Sequence, residues 1–234
     1  MISLISVCSR SNNRGSCLPQ LVSYGVPGEI KTRIQWDAPS IYEGHKRNIE
    51  QSGLSDDDIV IMCHDDVDII SNHGELSKYL EICKKPGIGF IGTAGATTLG
   101  TDPIWWNSRH YNETRGFVFQ GKDPAKMTPN YFGEYGQVVC LDGLFLAATV
   151  DTLNKIKLEK PPYLTSDWDF YDIHLTTKAH YSGFANYAVP IIVRHESDGQ
   201  MREGWFQAKQ EFIKANRMLL PMRVAKDKTN GLPK

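Results

Sequence analysis

Apolar runs of strand length alternate with helical periodicities through the first half of the chain. Strands are predicted over residues 2–8, 30–36, 59–63 and 88–91. A capping box formed by Ser40 and Glu43 predicts a helix over residues 41–51, and helical spacing predicts another over 75–84. This order of elements is typical of a parallel α/β sheet, which binds ligands at the carboxyl ends of its strands.

The second half of the chain is less regular. Its predicted strands cover residues 116–120, 138–141, 144–148 and 187–193. Its predicted helices lie within residues 165–181 and 203–219. Because no repeat and no shift in composition marks a second domain, we expect one domain over residues 1–223 and a polar tail over 224–234.

A segment rich in glycine and threonine, residues 92–101, follows one of the predicted sheet strands. Such a composition predicts a mobile loop that closes over a bound ligand and brings Trp105 or Trp106 towards it. The alternative is a surface connection with both tryptophans packed permanently in the core.

Bulk composition is that of a globular protein, with 41% hydrophobic and 23% charged residues in 234. The formal net charge of −1 provides no global basic field for nucleic acid or acidic membranes. No run of 18 apolar residues predicts a membrane span, and the apolar N-terminus reads as a strand rather than a signal peptide. Four of the five cysteines lie in apolar runs, which favours buried thiols and a cytoplasmic location.

The most distinctive chemistry follows the strand at 59–63, where His64, Asp65, Asp66 and Asp68 come in close succession. Hard divalent cations such as Mg²⁺ and Mn²⁺ take oxygen ligands, commonly one or two carboxylates together with the phosphates of a ligand. The cluster therefore predicts a metal site for a phosphorylated ligand at the end of this strand. A solvated acidic turn is the alternative.

Two further groups follow in the second half. Asp167, Asp169 and Asp172 surround the start of the predicted helix within 165–181, and His195 comes directly after the late apolar strand. The carboxylates could serve as a general base or merely complement the helix dipole. His195 could be a metal ligand or an ordinary histidine at the rim of the sheet.

These three features, in this order, resemble the GT-A nucleotide-sugar glycosyltransferases over about residues 1–200. The likeness is to family-2-like enzymes, with motif similarity to the β-1,4-galactosyltransferases. Asp66-Val-Asp68 resembles the Asp-x-Asp motif, and the segment from Phe170 to Leu175 resembles the Glu-Asp-x-Asp-Leu segment. The resemblance implies an α/β GT-A fold with a mixed, mostly parallel central sheet flanked by helices.

The resemblance also implies roles for individual residues. Asp66, Asp68 and His195 would hold the metal, and the imidazole shifts the preference from Mg²⁺ towards Mn²⁺. Through the metal, Asp66 would also contact the diphosphate of the nucleotide sugar. Asp172 would be the general base, with Asp169 one turn earlier on the same helix face as a second catalytic carboxylate.

On the donor side, Arg10 in the loop after the first strand and Asn48 on the first helix would meet the nucleotide. Asp65 is assigned to the ribose or base. Asp142-Gly143 would lie near the donor sugar, although Asp-Gly is also a strong hairpin-turn dipeptide. For Arg10 and Asn48 the alternative is a solvated surface position.

The function expected from the resemblance is metal-dependent transfer of a sugar from a nucleoside-diphosphate sugar, by default a UDP-sugar, to a hydroxyl acceptor with inversion. The acceptor is open among glycans, lipid-linked sugars, proteins, small molecules and modified nucleobases. Tyr171 and His174 stand where acidic residues are usual, which keeps open a binding module without turnover. A metal-dependent phosphohydrolase or nucleotidyltransferase is the third possibility.

Overall fold

The structure is a computed structural model that describes residues 3–10, 30–107, 113–197, 199, 201–225 and 231–233. Its strands are β1 (Ser3–Cys8), β2 (Ile30–Gln35), β3 (Ile59–His64), β4 (Val67–Ile69), β5 (Ile88–Gly92), β6 (Ala94–Ala96), β7 (Thr98–Leu99), β8 (Thr114–Gln120), β9 (Thr128–Gly133), β10 (Gly136–Val138), β11 (Cys140–Leu141), β12 (Phe145–Thr149), β13 (Ala185–Ala188), β14 (Val193–His195) and β15 (Met222–Arg223). Its helices are α1 (Ile41–Glu50), α2 (His73–Leu80), α3 (Val150–Ile156), α4 (Tyr171–Tyr181) and α5 (Glu203–Asn216). Short 3₁₀ turns cover Glu81–Lys84, Trp105–Asn107 and Pro124–Lys126.

A seven-stranded sheet forms the centre of the described structure, in the order β10-β13-β5-β12-β3-β1-β2. β1 runs parallel to β2 and β3, and β13 runs parallel to β5. β12 runs antiparallel to both of its neighbours, and β10 runs antiparallel to β13. The expected mixed α/β architecture is confirmed, with antiparallel pairs as frequent as parallel ones in this sheet.

The sheet is buried on both faces because its strands are apolar at successive positions. In β3, Ile59, Ile61 and Cys63 pack into one hydrophobic cluster, whereas Val60 and Met62 pack into a second. Successive side chains of a strand point to opposite faces, so the two clusters lie on the two sides of the sheet. The strand therefore reads as a continuous apolar run rather than an alternating one.

A second sheet, in the order β11-β6-β8-β14-β4, lies beside the carboxyl end of β3, and β9 pairs with β8. The predicted strand over 187–193 is divided between the sheets, since β13 belongs to the central sheet and β14 to the second. Pro190 stands between them, and a proline cannot donate to a strand ladder. As a result of this division, His195 lies in the second sheet, at the end of β14.

The predicted mobile loop over 92–101 is wrong, because β6 and β7 occupy it and most of its residues are buried. Its glycines permit close packing: a Cβ at Gly95 would lie 2.1 Å from the backbone oxygen of Cys140. Trp105 is 2% exposed and packs in the core, whereas Trp106 is 40% exposed. The alternative of a permanent core position therefore holds for Trp105 alone.

The remaining expectations concern thiols, the tail and membranes. The thiols of Cys8, Cys63, Cys83 and Cys140 are free and buried, and burial raises their pKa. In the predicted polar tail, Val224 is buried and its N–H donates to Thr97 O, so the packed structure continues beyond residue 223. Among the described helices, none has the length and apolarity that crossing a bilayer requires.

Candidate metal and nucleotide-sugar site

Two strand ends meet in what we call the His–Asp–His cluster, formed by His64, Asp66 and His195. His64 ends β3, Asp66 lies in the turn before β4, and His195 ends β14, which pairs with β4. Asp66 Oδ1 lies 3.3 Å from His195 Nε2 and 3.8 Å from His64 Nδ1. One ligand atom from each residue lies within 4.8 Å of the others, so the three could hold one cation.

The ionised carboxylate at the centre of this cluster suits a divalent metal. Burial alone would raise the pKa of Asp66, but the hydrogen bond and charge of His195 lower it to about 2. Burial lowers the pKa of His64, which keeps its imidazole neutral. Burial opposes a charge on His195, yet the hydrogen bond with Asp66 and its charge raise the pKa of His195 above its ordinary value. An ionised carboxylate beside imidazoles fits Mn²⁺, with coordination positions left for ligand oxygens.

Asp68 does not join this cluster, contrary to the metal-ligand assignment from the sequence. It lies within β4 opposite Arg194 of β14, and Arg194 Nε and Nη2 both donate to Asp68 Oδ2, the former at 2.7 Å. Both side chains are buried. The carboxylate therefore neutralises a buried guanidinium, and His64, which the sequence analysis did not assign to the metal, takes the third place.

Tyr171, Gly143 and Asp172 form a connected group behind His64. The Tyr171 hydroxyl donates to Gly143 O at 2.5 Å and lies 3.1 Å from His64 Nε2. Gly143 N–H donates to Asp172 Oδ2 at 2.9 Å, and Ile173 N–H donates to Asp172 Oδ1 at 2.8 Å. A Cβ at Gly143 would lie 2.4 Å from the Tyr171 hydroxyl oxygen, so only glycine fits between these side chains.

The electrostatics of Asp172 suit a general base. Burial and the negative charge of Asp142 raise the pKa of Asp172 to about 7, against the two N–H groups that favour its ionised form. A base is most effective when its pKa lies near the working pH. Asp172 can therefore exchange a proton at neutral pH.

Asp142-Gly143 joins the two sheets and is not a hairpin turn. β11, before it, belongs to the second sheet, and β12, after it, belongs to the central sheet. Asp142 Oδ1 accepts from Leu144 N–H at 3.1 Å, and the negative charge of Asp142 acts on both His64 and His195. The dipeptide therefore lies at the candidate site.

Asp169 does not share a helix face with Asp172, because α4 begins only at Tyr171. Phe170 has a left-handed backbone with φ of 63°, which separates the two carboxylates. Asp169 Oδ2 accepts from Ser166 Oγ at 2.7 Å, and Asp169 Oδ1 lies 4.0 Å from Arg10 Nη2. Asp169 thus stands with Arg10, whose guanidinium carbon lies 4.9 Å from the centre of the Trp168 ring.

Of the two other residues that the resemblance assigns to the nucleotide, Asp65 lies near Arg10 and Asn48 lies in the interior. Asp65 lies partly buried in the turn before β4, where its charge acts on Arg10. Asn48 is 2% exposed, and its amide donates to Ser6 Oγ, Val7 O and Arg33 O at 3.0, 3.1 and 3.3 Å. These hydrogen bonds connect α1 to β1 and β2, and Asn48 therefore lies in the interior rather than at the candidate site.

Comparison with known proteins identifies the class to which this fold and site belong. A sequence model described as a glycosyltransferase-like family matches residues 3–218, and the chain therefore belongs to that family. A search of curated proteins finds no match.

Two solved structures are similar to the described chain. GalNAc-T7, in a crystal structure with UDP, GalNAc and Mn2+, matches with a TM-score of 0.58 at 11% identity, over 93% of this chain and 47% of that one. The protein A197 from STIV matches with a TM-score of 0.45 at 14% identity, over 86% of this chain and 97% of that one. The chain spans about half the length of the GalNAc-T7 chain. The expected GT-A fold is thereby shown, and the protein is a glycosyltransferase-like member of that fold.

Proposed function

We propose that this protein transfers a sugar from a nucleoside-diphosphate sugar to a hydroxyl acceptor, with Mn²⁺ as its metal and inversion at the sugar. The observation that supports it most is the connection, at the carboxyl end of β3, of the His–Asp–His cluster to Asp172 through the hydrogen bonds of Tyr171 and Gly143. The pKa of Asp172 is about 7. Transfer of this kind needs both a cation for the leaving diphosphate and a base for the acceptor hydroxyl.

His64, Asp66 and His195 would hold the metal. When bound, a divalent cation neutralises the negative charge that develops on the departing diphosphate. Two imidazoles in the ligand set favour Mn²⁺ over Mg²⁺. Asp68, committed to Arg194, has no place in this set.

Asp172 would accept the proton of the acceptor hydroxyl. Two backbone N–H groups hold its carboxylate in place, and one of them belongs to Gly143 beside Asp142. Asp142 and Gly143 would lie near the donor sugar. Asp169, 4.0 Å from Arg10, would act on the nucleotide side rather than as a second base.

Arg10 and Asp65 would contact the nucleotide, and Trp168, partly buried with the Arg10 guanidinium over its ring, would line the same side of the site. A uridine nucleotide is our first choice, because the neighbouring structure was solved with UDP. UDP-galactose is one candidate donor because the motifs of this chain resemble those of the β-1,4-galactosyltransferases. Free buried thiols favour a cytoplasmic location.

A thermal-shift panel tests this proposal. The intact protein would be melted with UDP, UDP-galactose, UDP-glucose and UDP-N-acetylgalactosamine, each with and without Mn²⁺. Binding stabilises a protein by about 2.7 kcal/mol at a hundredfold excess over the dissociation constant. We expect a shift that requires Mn²⁺ and nucleotide together, and no shift with any nucleotide would contradict the proposal.

Product analysis then separates the proposed reaction from its rivals. Slow hydrolysis of the bound donor to free sugar and nucleoside diphosphate indicates a glycosyltransferase. Release of nucleoside monophosphate or pyrophosphate would instead indicate a phosphohydrolase or nucleotidyltransferase. Binding without any turnover, in the presence of an acceptor panel, would indicate a binding module.

A further inference from the structure

We propose that Tyr171 is a positioning residue that fixes the tautomer and orientation of His64, and that Gly143 joins this pair to Asp172. The inference rests on the proposed function in so far as His64 is taken as a metal ligand. It assigns a role to the tyrosine that stands where an acidic residue is usual in the resembling enzymes.

The direction of each hydrogen bond follows from the partners. Gly143 O can only accept, so the single phenolic proton of Tyr171 points to it at 2.5 Å. The hydroxyl oxygen, 3.1 Å from His64 Nε2, must then accept, and Nε2 carries the imidazole proton. His64 Nδ1 is left with its lone pair, and Nδ1 is the atom 3.8 Å from Asp66 Oδ1. The free nitrogen therefore faces the metal position.

Packing leaves this arrangement without a ready alternative. Tyr171 is 4% exposed, and its ring packs against the rings of His64 and Tyr42 at centroid distances of 6.2 and 6.4 Å. A Cβ at Gly143 would overlap the Tyr171 hydroxyl and lie 2.9 Å from Asp172 Cβ. The hydroxyl is thus confined between a fixed carbonyl and the imidazole.

The backbone of Gly143 is hydrogen-bonded to both Tyr171 and Asp172. Its carbonyl receives the Tyr171 proton, and its N–H donates to Asp172 Oδ2. A shift of Gly143 would therefore move the metal ligand and the base together. Partners that orient a metal-bound histidine in this way typically change metal affinity by about 10–100-fold when they are removed.

The first test is Tyr171→Phe, which removes the hydroxyl and keeps the ring. We expect the affinity of the protein for Mn²⁺ alone, followed by electron paramagnetic resonance, to fall by about 10–100-fold. The matched control is Tyr42→Phe, since the Tyr42 hydroxyl is buried beside Tyr171 without a hydrogen-bond partner in the described structure. That control should bind Mn²⁺ like the wild type, and an equal affinity in both variants would overturn the proposal.

A second measurement observes the tautomer of His64 in the wild-type protein itself. Long-range ¹H–¹⁵N correlation spectra of the metal-free wild-type protein distinguish the two imidazole tautomers, with His64→Ala identifying the resonances. We expect His64 to be protonated on Nε2 and bare on Nδ1, and Tyr171→Phe to populate the other tautomer as well. A proton on Nδ1 in the wild type would overturn the proposal directly.

His64→Ala also separates this inference from the proposed function. If His64→Ala binds Mn²⁺ like the wild type, His64 is no ligand and the metal assignment fails along with this inference. If His64→Ala loses Mn²⁺ while Tyr171→Phe retains it, the metal assignment stands and only the positioning role fails.

Discussion

At the scale of single residues, the carboxylates that follow β3 have separate tasks. Asp66 faces two imidazoles, whereas Asp68, two positions later, faces the guanidinium of Arg194. The Asp-x-Asp spacing in the sequence does not distinguish the two aspartates. What distinguishes them is the register of β4 against β14, which places Arg194 opposite Asp68.

The Asp68–Arg194 pair should matter for stability rather than for metal binding. Asp68→Asn leaves a buried guanidinium without its countercharge, and breaking such a pair costs about 3–5 kcal/mol. The control is Asp151→Asn, which removes the exposed ion pair with Lys155 and should cost no more than about 1 kcal/mol. Urea unfolding at pH 7 measures both. Wild-type stability together with lost Mn²⁺ affinity in Asp68→Asn would restore Asp68 as a ligand.

The pKa of Asp172 predicts how stability depends on pH. Its value of about 7 in the folded protein lies above the roughly 3.9 of an unfolded aspartate, so the folded state binds the proton more tightly. Its contribution to stability is therefore complete at low pH and is lost as pH rises from about 4 to 7. Asp172→Asn removes the titrating group and should flatten this part of the curve. Parallel urea-midpoint curves for the two proteins would show that the pKa is not raised.

The same carboxylate should be needed for transfer but not for binding. Asp172→Asn keeps the size of the side chain and one of its two backbone hydrogen bonds while it removes the proton acceptor, so we expect a loss of about 10²–10⁴-fold in sugar transfer. Affinity for Mn²⁺ and UDP should stay at the wild-type level. Asp169→Asn, on the Arg10 side, should weaken nucleotide binding instead. Transfer at the wild-type rate in Asp172→Asn would remove it as the base and favour a retaining mechanism.

At the scale of elements, apolar runs located most strands because burial on both faces selects them. β1, β3 and β5 begin and end within one residue of their predicted bounds, and Ser40 caps α1 as predicted by accepting from Glu43 N–H. The prediction of a mobile loop over residues 92–101 is wrong because a glycine is compatible both with a flexible backbone and with close packing of neighbouring strands. The neighbouring strands, β11 and β8, decide which of them applies.

A glycine substitution tests this reading of β6. Gly95→Ala would place a methyl group 2.1 Å from Cys140 O, and backbone cannot move aside as a side chain can. We expect a loss of at least about 1–3 kcal/mol, the usual cost of overpacking. Gly74→Ala in α2 is the control, where the nearest atom to the new Cβ is 3.4 Å away and stability should hold or rise. A mobile segment, by contrast, would tolerate both substitutions equally.

At the scale of the whole molecule, the site depends on contacts between residues far apart in sequence. His64 and Tyr171 lie 107 positions apart, and Asp68 and Arg194 lie 126 apart. The order of the motifs indicated the fold and named Asp66, Asp172 and His195, which the structure brings to one region. Periodicity contains no information on which side chains contact each other across two sheets. The position of His64 in the cluster, its contact with Tyr171 and the burial of Asn48 between α1 and β1 therefore could not be derived from the sequence.

The central claim is that one metal ion, held by the His–Asp–His cluster, recruits a nucleoside diphosphate to this end of the sheet. Isothermal titration of UDP into wild type, His64→Ala, Asp66→Ala and His195→Ala, with and without Mn²⁺, tests it most directly. We predict Mn²⁺-dependent UDP binding in the wild type, its loss in all three variants, and its retention in Tyr42→Phe. UDP binding that is independent of Mn²⁺, or that survives in the three variants, would contradict the account.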